Sequence, residues 1–298
     1  MISFSNINTA LKQAYLPVVS EQLDNQIDLF FKNIVKTGKD VWGKQILVSI
    51  KLNGDKFIQI KSELSNIYCS IEISDKALRC SQNSTDALVN LLNDEIEHKV
   101  KETQKHIRDA FYNEDKKPDY LDEQAKYEQL KLNGLNDLFS DNKILYNVDR
   151  TKYEILNPYK TTIDEFDVDK IRSIIDNHSE DADFIVMSNN NKRKFLNWLD
   201  KNKLNVKTVD GIYDKPIIQF DIGMNLITAP IDDNSIYVLN SKDFTMHQLT
   251  NWEWLSDENG NIVRMRFDKP VYKATLVKYA NILCHNPSGQ IKITIKNK

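Results

Sequence analysis

Glycine is scarce in this chain: 298 residues contain only eight, and they form no cluster. Glycine-rich loops cradle nucleotide phosphates, and neither a complete G-x-x-x-x-G-K-[ST] nor a G-x-G-x-x-G pattern occurs. The G-x-S-x-G and H-E-x-x-H patterns of serine hydrolases and zinc proteases are missing as well. The sequence therefore proposes no catalytic residue and no cofactor, and we expect a protein that is not an enzyme.

Cysteine is equally sparse, and long apolar runs do not occur. The chain has three cysteines, Cys69, Cys80 and Cys284. Their number is odd and no two are spaced C-x-x-C, so we expect free thiols in a reducing compartment. No apolar stretch approaches the ~20 residues of a membrane helix. The N-terminus lacks the basic and apolar regions of a signal peptide. These features predict a soluble protein, made in the cytosol, with no membrane contact.

The chain also has no excess of positive charge, since its formal net charge is -3. A nucleic-acid-binding module would normally show a basic footprint, so that class is disfavoured. Hydrophobic residues make up 41% of the chain, which is enough for a substantial core in one large or two ordinary domains.

The N-terminal third predicts a helix followed by a hairpin. Apolar residues at helical spacing lie between 23 and 34 and predict the helix. Between 46 and 52, apolar and other residues alternate as in a strand, and Asn53-Gly54-Asp55 connects this run to a second β-prone run at 57–61. An Asn-Gly between two such runs is a strong hairpin signal. Because polar residues lie on both faces, we expect this hairpin to bury little within its own chain and to need a partner.

A long helix and a mixed region follow. Residues 85–112 contain no Gly or Pro, carry one apolar stripe and predict a helix roughly 40 Å long. The charged segment 113–131 predicts a partly helical surface insertion. From about residue 164, amphipathic helices alternate with short strands, and the last segments favour antiparallel strands.

Two patterns are candidates for chemistry. Glu95 and His98 share a helix face and could ligate a metal, but a di-iron site needs a second such pair, so a solvated helix face and no metal are favoured. In a strand, Trp252 and Trp254 face one side and Glu253 the other.

Three interpretations of the tryptophan pair remain. Two large rings on one face usually form core or a subunit interface. Stacking on single-stranded nucleic acid would favour interleaved Lys and Arg, and none occurs between Lys242 and Arg264. A carbohydrate hydrolase using Glu253 would need a second carboxylate about 5 to 10 Å away.

Eight segments follow one another along the chain in a familiar order: LKQAYLPVVSEQLDN, VWGKQILVSI, STDALVNLLNDEIEHKVKETQKHIRDAFYN, LNGLNDLF, YNVDRTKYEILNP, DFIVMSNNNKRKFLNWL, SIYVLNSKDFTMHQLTNWEWL and KPVYKATLVKYANILCHNPSGQI. This order resembles the major capsid protein of tailed bacteriophages, the Johnson fold. The likeness spans nearly the whole chain, and its most specific part is the closing region.

The resemblance implies an α+β fold with a defined division of the chain. Residues 1–38 would form an N-terminal arm and residues 39–80 an extended β-hairpin loop. A peripheral domain would combine 81–160 with 241–298 and contain the long spine helix 85–112, while 161–240 would form an axial domain.

The resemblance also implies a structural role in the virion. Many copies would form pentamers and hexamers of an icosahedral head, made in the bacterial host cytoplasm and enclosing double-stranded DNA without sequence-specific binding. A portal and a separate scaffolding protein would be further partners, because the sequence starts directly with the arm. An encapsulin-like compartment shell is the nearest alternative. Candidate subunit-interface residues are Trp42, Phe57, Ile60, Trp252 and Trp254.

Overall fold

A computed structural model describes residues 9, 11–52, 56–81, 85–112, 132–178, 181–212, 216–221 and 223–296. Helices and strands are mixed along the chain, which confirms the α+β prediction. The α-helices of the described part are α1 (Leu16–Asn25), α2 (Leu29–Asn33), α3 (Asp75–Ser81), α4 (Thr85–Tyr112), α5 (Leu135–Leu138), α6 (Val168–His178) and α7 (Asn189–Lys201).

The strands form two large and two small sheets. In chain order they are β1 (Val35–Thr37), β2 (Val41–Trp42), β3 (Gln45–Lys51), β4 (Phe57–Glu63), β5 (Ser65–Ser74), β6 (Ile144–Leu145), β7 (Val148–Asp149), β8 (Tyr159–Ile163), β9 (Phe184–Met187), β10 (Thr208–Val209), β11 (Ile217–Asp221), β12 (Met224–Thr228), β13 (Ser235–Leu239), β14 (Phe244–Gln248), β15 (Glu253–Trp254), β16 (Arg264–Met265), β17 (Val271–Cys284) and β18 (Ile291–Ile295).

The six-stranded sheet is organised around β17, its longest strand. On one edge, β5 pairs antiparallel with β17 over ten residues, from Ser74 opposite Val271 to Ser65 opposite Ala280. On the other edge, β14, β15 and β16 pair with successive parts of the same strand. The spine helix α4 packs on β5 with its predicted apolar stripe, and Ile96, Val100 and Ile107 are buried there.

The seven-stranded sheet has the order β10-β11-β12-β9-β13-β18-β8. Helices α6 and α7 cover one face, where Ile185 and Met187 of β9 join their core. Phe184 and Val186, the alternate residues of β9, join the main core on the other face. Because a strand sends alternate side chains to opposite faces, both sides of β9 are buried, as expected for a short apolar strand between covering layers.

One aromatic cluster joins the two sheets. The ring of Phe30 in α2 lies 5.3 Å from Phe111 of α4, 5.7 Å from Phe184 of β9 and 5.1 Å from Phe244 of β14, measured between ring centroids. Edge-to-face and stacked rings at these distances add to the energy of apolar burial. Helix α2 therefore belongs to the core that joins the two sheets.

The single helix expected near the N-terminus is two helices. Asp28 breaks the pattern because its backbone is extended and its side chain accepts a hydrogen bond from Phe31 N at 3.1 Å, which caps α2. Leu23 and Phe31 are buried in the chain's own core, so this part of the arm is covered without a neighbour.

The hairpin of β3 and β4 is confirmed, with Ser49 opposite Gln59. Its turn, Asn53-Gly54-Asp55, lies outside the described residues. The expectation that it buries little in its own chain is wrong, because alternation places one largely apolar row inward. Ile46, Val48, Ile50, Ile58 and Ile60 are buried in a cluster with Leu156 and Leu283.

The proposed division into arm, hairpin, peripheral and axial parts stays a prediction, with one difference in strand pairing. β18 was assigned with the peripheral segment 241–298, but it pairs with β13 and β8 in the seven-stranded sheet. A strand of alternating Ile and Lys or Thr contains no information on which sheet it joins. The charged segment 113–131 lies outside the described residues. Among the described helices, none is long and apolar enough to cross a membrane.

Gly134 occupies a position that has no space for a side chain. A Cβ atom there would lie 2.7 Å from Phe111 O and 2.8 Å from Ala110 O, at the end of the spine helix. Both obstacles are backbone atoms, so they cannot rotate away. We predict that Gly134→Ala lowers the free energy of unfolding by about 1–3 kcal/mol, measured by urea denaturation.

Gly38→Ala is the matched control, because a Cβ at Gly38 would meet only Gln248 O, at an ordinary 3.5 Å. Both substitutions reduce the freedom of the unfolded chain equally. If the two variants are equally stable, the close approach at Gly134 does not constrain the fold.

Candidate assembly surface

The outer face of the hairpin exposes two of the predicted interface residues. Trp42 is 71% exposed and Phe57 is 61% exposed. Both lie in the three-stranded sheet β2-β3-β4, where Trp42 pairs with Gln45 and Phe57 with Lys51. Six residues of β3 separate the two positions, so the rings lie about 20 Å apart at opposite ends of this outer face. Exposed aromatic side chains can bury apolar area when another protein covers them.

Ile60 differs from these two residues. It is fully buried on the inner face of the same hairpin, opposite Val48. Its side chain packs within the chain and is not available to a neighbour. The prediction of Ile60 as a subunit-interface residue is therefore wrong. Successive residues of a strand face opposite sides of the sheet, so Ile60 faces inward while Phe57 faces outward.

A second exposed apolar patch lies at β16 and the residue-267 turn. Met265 is 55% exposed and Phe267 has no cover at all from its own chain. Arg266 between them points to the body of the sheet and forms ion pairs with Glu72 at 3.2 Å and Asp268 at 2.8 Å. This patch was not predicted from the sequence, although the alternation of Arg and apolar residues in VRMRF is a usable signal.

The two patches lie at opposite ends of the β5–β17 ladder. The hairpin strand β4 ends at Glu63, just before Ser65 pairs with Ala280. The Met265–Phe267 patch adjoins Val271 at the other end. The ladder between the base of the hairpin and this second patch contains ten paired residues, or about 30 Å.

Trp252 and Trp254 are buried within their own chain, so they pack in its core and, like Ile60, do not present a surface to a neighbouring subunit as predicted. Trp252 is 4% and Trp254 9% exposed, while Glu253 between them is exposed. Their ring nitrogens donate hydrogen bonds to the N-terminal segment, Trp252 Nε1 to Asp24 Oδ1 at 3.0 Å and Trp254 Nε1 to Leu11 O at 3.1 Å. Rings covered in this way offer no face for stacking a sugar or a base.

A buried ion pair completes this contact, which we call the arm clamp (Asp24, Lys36, Trp252 and Lys278). Lys278 Nζ lies 2.6 Å from Asp24 Oδ1 and 5.9 Å from the centre of the Trp252 ring. Lys36 Nζ donates to Asp24 O at 2.8 Å. Burial lowers the pKa of Lys278, and the Asp24 carboxylate opposes that shift. The clamp fastens α1 to the central strand β17.

A second buried acidic group lies where the two N-terminal helices meet. Asp28 Oδ2 is 3.6 Å from Arg108 Nε of the spine helix. Burial raises the pKa of Asp28, while the Arg108 charge and the amide of Phe31 oppose the increase. Arg108 also donates to Thr228 O, so this contact connects the arm, the spine helix and β12. Both buried charges are explained by packing of the arm.

The Glu95–His98 pair has no further metal ligands beside it in the described part of the chain. Glu95 is half-buried and His98 exposed on α4, and the described residues contain no group of three or more His, Cys, Asp or Glu side chains that could hold a metal. All three cysteines lie in the described part and are free. Burial raises the pKa of Cys69 to about 11, which makes this thiol unreactive at neutral pH.

We predict that Lys278→Met lowers the free energy of unfolding by on the order of 3 kcal/mol, because it leaves the Asp24 carboxylate without its buried cation. The double variant Asp24→Asn, Lys278→Met should recover most of this loss. Urea denaturation measures both values.

Lys273→Met is the matched control on the same strand. Lys273 Nζ lies 3.9 Å from Glu72 Oε1, and both side chains are partly exposed. An exposed pair of this kind contributes about 0–1 kcal/mol. Equal stability of the Lys278→Met and Lys273→Met variants would contradict the clamp.

Comparisons with known proteins place this architecture. No protein-family model matches the chain, and no curated protein matches its sequence. Solved structures do match over nearly the whole chain. A capsid chain of cyanophage A-1(L) has a TM-score of 0.58 at 12% identity and covers 94% of this chain and 93% of its own.

Two further structures are similar. A chain of the satellite phage P4 procapsid has a TM-score of 0.53 at 10% identity, covering 96% of this chain and 100% of its own. The SrpI encapsulin of Synechococcus elongatus PCC 7942 has a TM-score of 0.54 at 13% identity, covering 88% and 84%. At these identities the likeness establishes architecture and not activity. The chain has the Johnson fold, the α+β fold of tailed-phage capsid proteins and encapsulins.

Proposed function

We propose that the chain is a major capsid protein that self-assembles through pentamers and hexamers into the icosahedral head of a tailed phage or prophage. The observation that carries this proposal is that large apolar side chains are exposed in two different places, on the outer face of the hairpin at one end of the β5–β17 ladder and at Met265 and Phe267 at its other end. A surface with two different patches associates head to tail, and head-to-tail contacts close into rings when the rotation allows it.

Two surfaces, the hairpin patch (Trp42 and Phe57) and the distal patch (Met265 and Phe267), are matched in chemistry. The hairpin patch supplies aromatic area, and the distal patch supplies the thioether of Met265 and the aromatic ring of Phe267. Aromatic residues and Met are enriched in the buried centres of protein interfaces. Neighbouring subunits that place one patch on the other would bury both and leave neither exposed in the shell.

The proposal includes double-stranded DNA as the content of the shell, with a portal and a separate scaffolding protein as partners. A net charge of -3 suits a container whose wall must not hold DNA tightly, because each phosphate neutralised by Lys or Arg adds salt-dependent affinity. No catalytic step is assigned to the chain. The buried Trp252 and Trp254 remove the aromatic platform on which a Glu253-based hydrolase depended.

An encapsulin-like compartment is the second candidate, favoured by the similarity to the SrpI encapsulin at 13% identity. The two candidates make the same kind of shell and differ in what the shell holds. Particles purified from cells expressing the native gene neighbourhood should contain nuclease-protected double-stranded DNA if the chain is a phage capsid protein. Protein cargo in place of DNA would support the compartment.

We predict that Trp42→Asp, Phe57→Asp leaves a folded protein that fails to form rings or shells. Most of both side chains is exposed, so the core is untouched. Loss of two partly buried aromatic contacts weakens each subunit contact by about 2–4 kcal/mol, which is more than tenfold in affinity. Sedimentation velocity and negative-stain electron microscopy measure assembly, and circular dichroism measures folding.

The conservative variant Trp42→Phe, Phe57→Leu is the control, and it should assemble because the patch stays apolar. Ile60→Asp should unfold the hairpin instead of testing the interface, since Ile60 is fully buried. Normal shells from the double Asp variant would show that the hairpin patch is not a subunit contact.

A further inference from the structure

Two histidines distant in sequence meet at the base of the hairpin. His247 lies in β14, opposite Thr37 of β1 on one side and Asn281 of β17 on the other. His285 directly follows β17. Their ring centroids are 5.6 Å apart. Lys39 and Asp40, which follow β1, lead from this point into the hairpin.

The hydrogen bonding of His247 fixes the state of its ring. Nδ1 lies 3.3 Å from the backbone oxygen of Lys39. A carbonyl oxygen only accepts hydrogen bonds, so Nδ1 must carry the proton and Nε2 must present a lone pair. His247 is 1% exposed, and the Nε2 atoms of both His247 and His285 are buried without a hydrogen-bond partner. A buried acceptor left unpaired is costly, on the order of 1–3 kcal/mol.

This arrangement is that of a metal-binding histidine. Such residues almost always donate the second ring N–H to a carbonyl or carboxylate, which orients the ring and leaves the other nitrogen for the ion. With metal–nitrogen bonds of about 2.0–2.1 Å, two imidazoles on one tetrahedral ion have ring centres about 5 Å apart, close to the observed 5.6 Å.

One acidic group lies close enough to act on both rings. Burial opposes positive charge on His247 and His285, and the Asp40 carboxylate, in the segment after β1, partly offsets this effect.

We propose that His247 and His285 bind a divalent transition-metal ion of the zinc class through their Nε2 atoms. Imidazole suits zinc, copper and nickel, whereas magnesium and calcium prefer oxygen ligands. In the described residues no third His, Cys, Asp or Glu completes a larger set, so the described part of the chain supplies two ligands. The ion connects the end of β17 to β14 and, through the His247–Lys39 bond, to the strand that leads into the hairpin.

The test is a titration of the full chain with Zn²⁺ in competition with a chromogenic chelator, after metal-free preparation. We expect one ion per chain, a higher thermal unfolding midpoint with Zn²⁺, and no response to Mg²⁺. His285→Gln should lower zinc affinity at least about tenfold and remove the thermal shift. His285 is only half-buried, so this variant is expected to fold; circular dichroism verifies folding, and His247→Gln is the second test.

His98→Gln is the matched control, because exposed His98 lies one helical turn from Glu102 and offers an ordinary surface site for zinc. It should bind zinc as the unsubstituted chain does. Loss of zinc in His98→Gln with retention in His285→Gln would overturn the proposal, as would the absence of stoichiometric zinc binding. The measurement is made per chain and does not depend on whether shells form.

Discussion

The pairing of β17 with four other strands is the constraint on which the rest of the structure depends. Fourteen residues, Val271–Cys284, hold β5 on one edge and β14, β15 and β16 on the other. The spine helix packs on β5, the arm clamp closes on Lys278, and Leu283 joins the hairpin cluster. A shift of this strand by one residue would turn every one of these side chains to the opposite face.

Some apolar surfaces around this ladder are buried within the chain, and others are exposed and available to a neighbouring subunit. The arm and the inner row of the hairpin pack in the chain's own core, where Phe30 and Ile60 are fully buried. Among the described residues, the outer hairpin face and the turn at Phe267 are two places that keep large apolar side chains exposed. In a head-to-tail contact, unlike surfaces of this kind on neighbouring subunits meet.

Local patterns in the sequence were sufficient to predict the helices and strands, but not which other residues they pack against. The apolar stripe of 85–112 and the alternation around Asn53-Gly54 predicted the spine helix and the hairpin, since both periods depend on near neighbours. What covers the inner hairpin face was not predictable, because Leu283 is more than 200 residues away. The Lys278–Asp24 pair spans 254 residues, and nothing near Lys278 distinguishes it from a solvated lysine. The burial of Trp252 and Trp254 was predicted from ring size alone, but their polar partners were not.

The most direct measurement is the mass and shape of the purified full chain, by sedimentation velocity and negative-stain electron microscopy across salt and protein concentration. The chain should be measured by itself and after co-expression with a scaffolding protein. The account predicts rings of five or six subunits, or closed shells built from them. A folded chain that stays monomeric under all of these conditions would contradict it.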